Sequence, residues 1–272
     1  MHLSRLVMLS LGTLALTACK SDEITTPALP PLAQVRFING VSDTGAVDIR
    51  PVDQVDFSQA ANNLAYRAGT VYFPSAVGVR QFRVFLTSTD IVVTSKIMLD
   101  ALVTFTADSR MTVLLTGSAR AGTLRLWVVD DATQAPPAGQ IGVRMINAAT
   151  GQVNGYIVAD TASPLPGSPT FSSVLPLAPS GYSNRPTGAA ALKVSDVGST
   201  TVNASEAGPA ADTTLAGEKP AAGVTSAGTM FSVYYFLPGA PGSANDAVTS
   251  PSLIWFVDRN PCDNPPVAAC TP

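Results

Sequence analysis

The feature that most constrains this chain is that it repeats itself. Val35-Arg36-Phe37-Ile38-Asn39 returns as Val143-Arg144-Met145-Ile146-Asn147. Gly45-Ala46-Val47-Asp48 follows the first copy and Gly151-Gln152-Val153-Asn154 the second. Tyr72, Gly78, Phe82, Arg83 and Val84 then match Tyr182, Gly188, Leu192, Lys193 and Val194. Finally, Leu126-Trp127-Val128-Val129-Asp130 matches Ile254-Trp255-Phe256-Val257-Asp258, which aligns the chain's two tryptophans. Matches in a fixed order predict two copies of one fold. The spacing between them widens toward the end, so the second copy carries extra residues before its last strand.

Each copy reads as strands. Val79 to Thr87 alternates, with Phe82, Val84 and Leu86 on one face and Gln81 and Arg83 on the other. Leu192 and Val194 keep that parity, with Lys193 opposite, and a one-residue slip would have inverted the faces. The other strands expected in copy one are 34–40, 46–52, 70–73, 91–97, 102–106, 110–117 and 123–130. Copy two is expected to end with 231–237 and 252–258. With 21 glycines and 22 prolines punctuating these runs, the expectation is all-β: two tandem immunoglobulin-like antiparallel β-sandwich domains. The join Asp131 to Gly139 holds Pro136-Pro137 and restricts the two units. Residues 203–228, rich in Ala, Gly, Thr and Pro, are expected to form a long mobile excursion.

Composition removes whole classes of function. The net charge is −3 and only 13% of residues are charged, so no basic stripe exists to neutralise phosphates and no nucleic-acid partner is expected. The single histidine is His2. Once it is cleaved away, Ser-His-Asp and Cys-His catalysis and the usual zinc sites go with it.

That cleavage is expected from the N-terminus. After Arg5, an apolar run from Leu6 to Leu16 falls short of the ~20 residues a membrane span needs, and reads as a signal-peptide core. It ends Leu16-Thr17-Ala18-Cys19, which resembles the lipobox of bacterial lipoproteins. The resemblance implies cleavage before Cys19 and acylation of its thiol and new amino group, a membrane anchor worth ~0.8 kcal/mol per buried CH2. Lys20, in place of an inner-membrane-retaining Asp, points to the outer membrane. Lys20 to Pro31, with Pro27, Pro30 and Pro31, reads as a tether reaching at most about 37 Å at ~3.1 Å per residue. If Cys19 carries lipid, Cys262 and Cys270 remain as a pair in a Pro-rich tail, and a disulfide between them would contribute about 2–3 kcal/mol. The alternative is two free thiols. The chain thus divides into a signal peptide (1–18), a lipidated cysteine with its tether (19–33), a first sandwich (34–133), a linker (134–140), a second sandwich (141–260) and a tail (261–272).

The opening Val-Arg-x-x-Asn strand, the Ala-Val-Asp segment, the mid-domain glycine and the closing apolar strand are similar to those of a family catalogued as domain of unknown function 4397. Val35 to Asp48 carries the pattern well; Val143 to Asn154 departs from it at Asn154, which replaces the acid. The resemblance spans most of 34–260 and implies exported, often tandem β-sandwich modules, with no established activity and so no catalytic residues to transfer.

Several residues invite a functional reading, each with a plainer one beside it. Arg36/Arg144 and Asn39/Asn147 could hold an anion. The favoured reading is structural, with Asn closing a strand-end turn and Arg pairing with Asp48 across strands, which would leave Arg144 without that partner. Trp127 and Trp255 could stack sugars, but they sit inside apolar strands, where core packing is favoured. Asp43, Asp48, Asp53 and Asp56 lack the tight spacing of a calcium loop and read as solvated charges, so no metal site is expected. Tyr66, Tyr72 and Phe73 offer the best aromatic surface patch. Gly117 to Gly122 reads as a hairpin turn and not a phosphate loop. The leading expectation is a non-catalytic lipoprotein without cofactors, anchored through Cys19 and displaying its modules to an envelope protein or polysaccharide. A carboxylate-dependent hydrolase of glycosidase type needs two acids converging ~5–9.5 Å apart in a cleft. A small-ligand carrier needs an enclosed apolar pocket.

Overall fold

The structure, a computed structural model, describes residues 30–53, 61–131, 134–211 and 222–261. Repeat 1 contributes β1 (Leu32–Asn39), β2 (Val47–Pro51), β3 (Phe73–Ala76), β4 (Gly78–Leu86), the short helix α1 (Ile91–Thr94), β5 (Ile97–Phe105), β6 (Arg110–Thr116) and β7 (Arg125–Asp130). Repeat 2 contributes β8 (Gln140–Asn147), β9 (Val153–Val158), β10 (Phe171–Val174), β11 (Ser183–Pro186), β12 (Ala191–Asp196), β13 (Ala204–Ala207), β14 (Met230–Phe236) and β15 (Ser252–Arg259). The protein is all-β, and each repeat is a sandwich.

The sheets repeat as the sequence does. Repeat 1 stacks β3-β1-β6-β7 on β2-β4-β5; repeat 2 stacks β11-β8-β14-β15 on β10-β9-β12-β13. β10 is the added strand, and among the described residues of repeat 1 the Val47–Leu64 bridge takes its place. The sheets are not wholly antiparallel. β1 runs parallel to β6, and β8 parallel to β14, with Ile38 opposite Leu114 and Ile146 opposite Tyr234. Side-chain alternation is the same for either strand direction, so sequence parity could not reveal this.

Parity does place the core. Phe82 and Val84 join Val35, Phe37, Val113 and Leu115 inside repeat 1, and Leu192 and Val194 join Val143, Met145, Phe231 and Val233 inside repeat 2. The outer faces of the β1 and β8 sheets are covered as well. A third cluster draws Ile38, Leu114 and Val129 from repeat 1 and Ile146, Tyr234 and Phe236 from repeat 2. The two repeats therefore pack sheet against sheet, four layers deep, within one compact unit that begins at Pro31. With both faces covered, every residue of Val35–Asn39 and Met230–Phe236 is buried.

Three local expectations are corrected. Residues 91–97 are not a strand: the Asp90 carboxylate accepts from the Val92 N–H and caps α1, overriding the β-branched run. The 203–228 stretch is not one mobile excursion. Ala204–Ala207 pairs with β12 as β13, and Val224 packs into the core, while residues 212–221 lie outside the described set. The two tryptophans are not equivalent. Trp127 faces Leu114 across the β6–β7 ladder, whereas Ile254 faces Tyr234, the counterpart of Leu114. A register shift between Met230 and Phe231 absorbs the difference. Trp127 accordingly packs on the inter-repeat cluster and Trp255 on the repeat 2 core, edge-on to Phe231 at 5.6 Å.

Candidate functional site

Strand alternation that turns Val35 and Phe37 inward turns Arg36 outward, and the same holds for Arg144 between Val143 and Met145. Outward here means toward the other repeat. Arg36 donates from Nε to Thr112 on the adjacent strand (3.0 Å) and from Nη2 to Asp258 of repeat 2 (2.8 Å). Arg144 donates from Nε to Ser232 on its adjacent strand (2.7 Å) and from Nη2 to Asp131 of repeat 1. Tyr72 donates to Asp131 (2.6 Å) and Tyr182 to Asp258 (2.7 Å). Thr112 donates to Asp131 and Ser232 to Asp258. Each member of one repeat has its counterpart in the other, and the arginines cross over.

This lock is sealed. Asp131 is 7% exposed and Asp258 0%. Arg36 also lies over the Tyr72 ring (4.6 Å) and Arg144 over the Tyr182 ring (4.8 Å). Burial, then the nearby Asp258 carboxylate, push Asp131 up to about 6 against the pull of Arg36 and Arg144. Burial likewise raises Tyr72 and Tyr182, which keeps their hydroxyls protonated as donors. Two converging acids with one raised pKa would suit general acid–base work if substrate could reach them. Here two guanidiniums and four hydroxyls fill their coordination, and what the arrangement does is hold two sheets together.

Residues 33–156 match the family model described as domain of unknown function (DUF4397). The resemblance read from the opening motif is borne out on that segment. No curated protein matches the chain. The DUF4397 segment covers repeat 1 and continues through β8 into β9, so it contains Arg36, Asp131 and Arg144, three of the four charges of the lock.

The other predicted residues fall around this frame. Asn39 and Asn147, fully buried, close strand-end turns: each accepts from the N–H two residues on and donates to loop carbonyls, Asn39 to Leu64 and Asn147 to Gly151 and Val174. Asp48 does not meet Arg36. It accepts from the Asn63 N–H, Thr87 and Arg50, since it lies on the opposite sheet of the repeat 1 sandwich. Burial raises its carboxyl, and those bonds more than offset it, leaving it below the usual range. Asp43 accepts from Ser118 and the Ala119 and Arg120 N–H groups, filling the Gly117–Gly122 hairpin with the protein's own carboxylate. Asp53 pairs with Arg80, and Asp56 lies outside the described residues. Among the described residues no group of three or more His, Cys, Asp or Glu could hold a metal. Tyr66, Tyr72 and Phe73 form no surface patch: Tyr72 is in the lock, Tyr66 packs on the inter-repeat cluster and Phe73 on the repeat 1 core. Cys19, Cys262 and Cys270 lie outside the described residues.

Sequence reasoning missed Asp131, Thr112 and Ser232, and gave Asp258 no partner. The recurrence of both Arg and Tyr in the two copies was the available signal, but it named a shared face and not what covered it.

The repeats also touch asymmetrically. The β14–β15 connection is longer than the β6–β7 hairpin. It folds over repeat 1: Ala240 N–H donates to the Ser42 carbonyl (3.0 Å), and Asn245 to the carbonyls of Ser42 and Thr44. Arg67 donates to the carbonyls of Leu237 and Ser250, and Arg120 to those of Pro241 (2.8 Å) and Gly242 (2.6 Å). Beside the shorter hairpin, a cleft of about 540 Å3 opens between the repeats, bordered by Thr116, Arg125, Ala148 and Thr150. A smaller apolar recess of about 300 Å3 lies by Phe37, Phe73 and Phe82, with Ala61, the first described residue after 54–60, on its rim.

Proposed function

We propose that the protein is a non-catalytic lipoprotein of the bacterial outer membrane, tethered through Cys19 and presenting its fused pair of β-sandwiches in a binding or structural role in the envelope. The observation that carries this reading is Leu16-Thr17-Ala18-Cys19 placed directly after an apolar run and before a Pro-bearing segment. The family model matched by residues 33–156 is described only as a domain of unknown function and is compatible with this reading. The non-catalytic part draws on the lock: the arginines and tyrosines that recur in both repeats, which in a repeated enzyme would be the first candidates for chemistry, are consumed in holding the repeats together. Metabolic labelling with a fatty-acid probe tests the anchor. Wild type is expected to take up the label and Cys19→Ala to lose it and leave the membrane fraction; equal labelling of both overturns the proposal.

A further inference from the structure

The long β14–β15 connection shows what kind of molecule this end of the body accommodates. Residues 238–250 lie on repeat 1: arginine side chains donate to their carbonyls, the Ala240 N–H donates to the Ser42 carbonyl, and the Ser243 and Asn245 side chains add bonds to the carbonyls of Ser42 and Thr44. The residue of repeat 2 that corresponds to Ser42, three positions past the buried strand-end asparagine, is Thr150. The β6–β7 hairpin is too short to cover it. Thr150 is exposed and borders the open cleft of about 540 Å3, together with Leu177, Ala148, Thr116, Tyr66 and Arg125. Arg125 is the single charged residue of that lining. It is exposed, and makes no ion pair or side-chain hydrogen bond among the described residues. The cleft lies at the Asn39 end of β1, about 25 Å from Leu32, where the chain enters the body, at ~3.3 Å per residue.

We propose that this cleft binds an extended polypeptide segment of a partner protein, rich in Gly, Ala, Pro and Ser, with Arg125 donating to its main-chain carbonyls as Arg67 and Arg120 donate to the 238–250 segment. Small residues let the backbone approach closely, and carbonyl recognition by arginine does not depend on sequence. This assignment gives the binding role proposed above a place and rests on that role for its meaning in the cell. The labelling of Cys19 and the test below fail independently.

The probe is an acetylated, amidated synthetic peptide with the sequence of residues 238–250, titrated calorimetrically into the full acylated chain in detergent, with hydrogen exchange locating the contact. Saturable binding is expected, with added protection confined to residues 116–125 and 148–150. Arg125→Ala is expected to weaken it about tenfold, the loss of one charge-assisted hydrogen bond. Arg83→Ala, on the outer surface of β4, is expected to leave it unchanged. No binding up to millimolar peptide overturns the proposal. So does binding that Arg125→Ala leaves intact, or protection at the cleft by an oligosaccharide but not by the peptide.

Discussion

At the scale of single residues, two arginines and two aspartates are buried together, where the charges gain little net stability as a set but leaving one without its partner is costly. Removing one partner of a buried pair leaves the other charge uncompensated, which costs about 3–5 kcal/mol. Truncation by Asp131→Ala is therefore expected to destabilise the protein by about that amount in urea unfolding, because Arg144, Thr112 and Tyr72 all lose their buried acceptor. Arg83→Gln, whose Asp100 pair is solvent-exposed, is expected to cost about 0–1 kcal/mol. The acids also set opposite pH dependences. Asp131 has a folded pKa near 6, above the unfolded 3.8, so the fold favours its protonated form. Its cost is fully present above pH 6 and is relieved as pH falls toward 4. Asp43 and Asp48 are held below the ordinary value, so the stability they add is present above about pH 4 and lost below it. Stability measured by urea midpoint should rise from pH 7 to 5 and fall below 4, and Asp131→Asn should abolish the rise. A steady fall from pH 7 to 5 in wild type would contradict this.

At the scale of elements, the sequence disclosed faces but not partners. The parity of Phe82 and Val84, and of Leu192 and Val194, placed both strands with their correct sides inward, because alternation is a local property of a strand. The unbroken burial of β14 was foreshadowed by Met230-Phe231-Ser232-Val233-Tyr234-Tyr235-Phe236, a nearly continuous apolar run that suits a strand covered on both sides. That the cover is the other repeat was not legible, since the Arg36–Asp258 contact joins residues 222 apart. The tryptophans misled because identity outweighed register: a single bulge places Trp255 one position off Trp127. The hairpin after β6 was read correctly from its glycines. Gly117 has φ +100°, and a Cβ there would run into the Thr123 carbonyl. Gly117→Ala is expected to cost roughly 1–3 kcal/mol and to raise amide exchange across the hairpin, measured by native-state hydrogen exchange.

At the scale of the molecule, two sandwiches with separate cores share a third cluster and a crossed set of ion pairs. Contacts of this kind couple their stabilities, so thermal unfolding should be a single transition. Fluorescence should report it from both Trp127, at the junction, and Trp255, in the repeat 2 core, coincident with far-ultraviolet dichroism. Two separated transitions would mean that the repeats stand independently. The central claim, that each repeat's arginine is held by the other's aspartate, is tested most directly by hydrogen exchange on Asp258→Asn. That change lies in repeat 2, on β15. The account predicts loss of protection in repeat 1, at the amides of β1 and β6 around Arg36 and Thr112. Loss confined to β14 and β15, with repeat 1 unchanged, would contradict it.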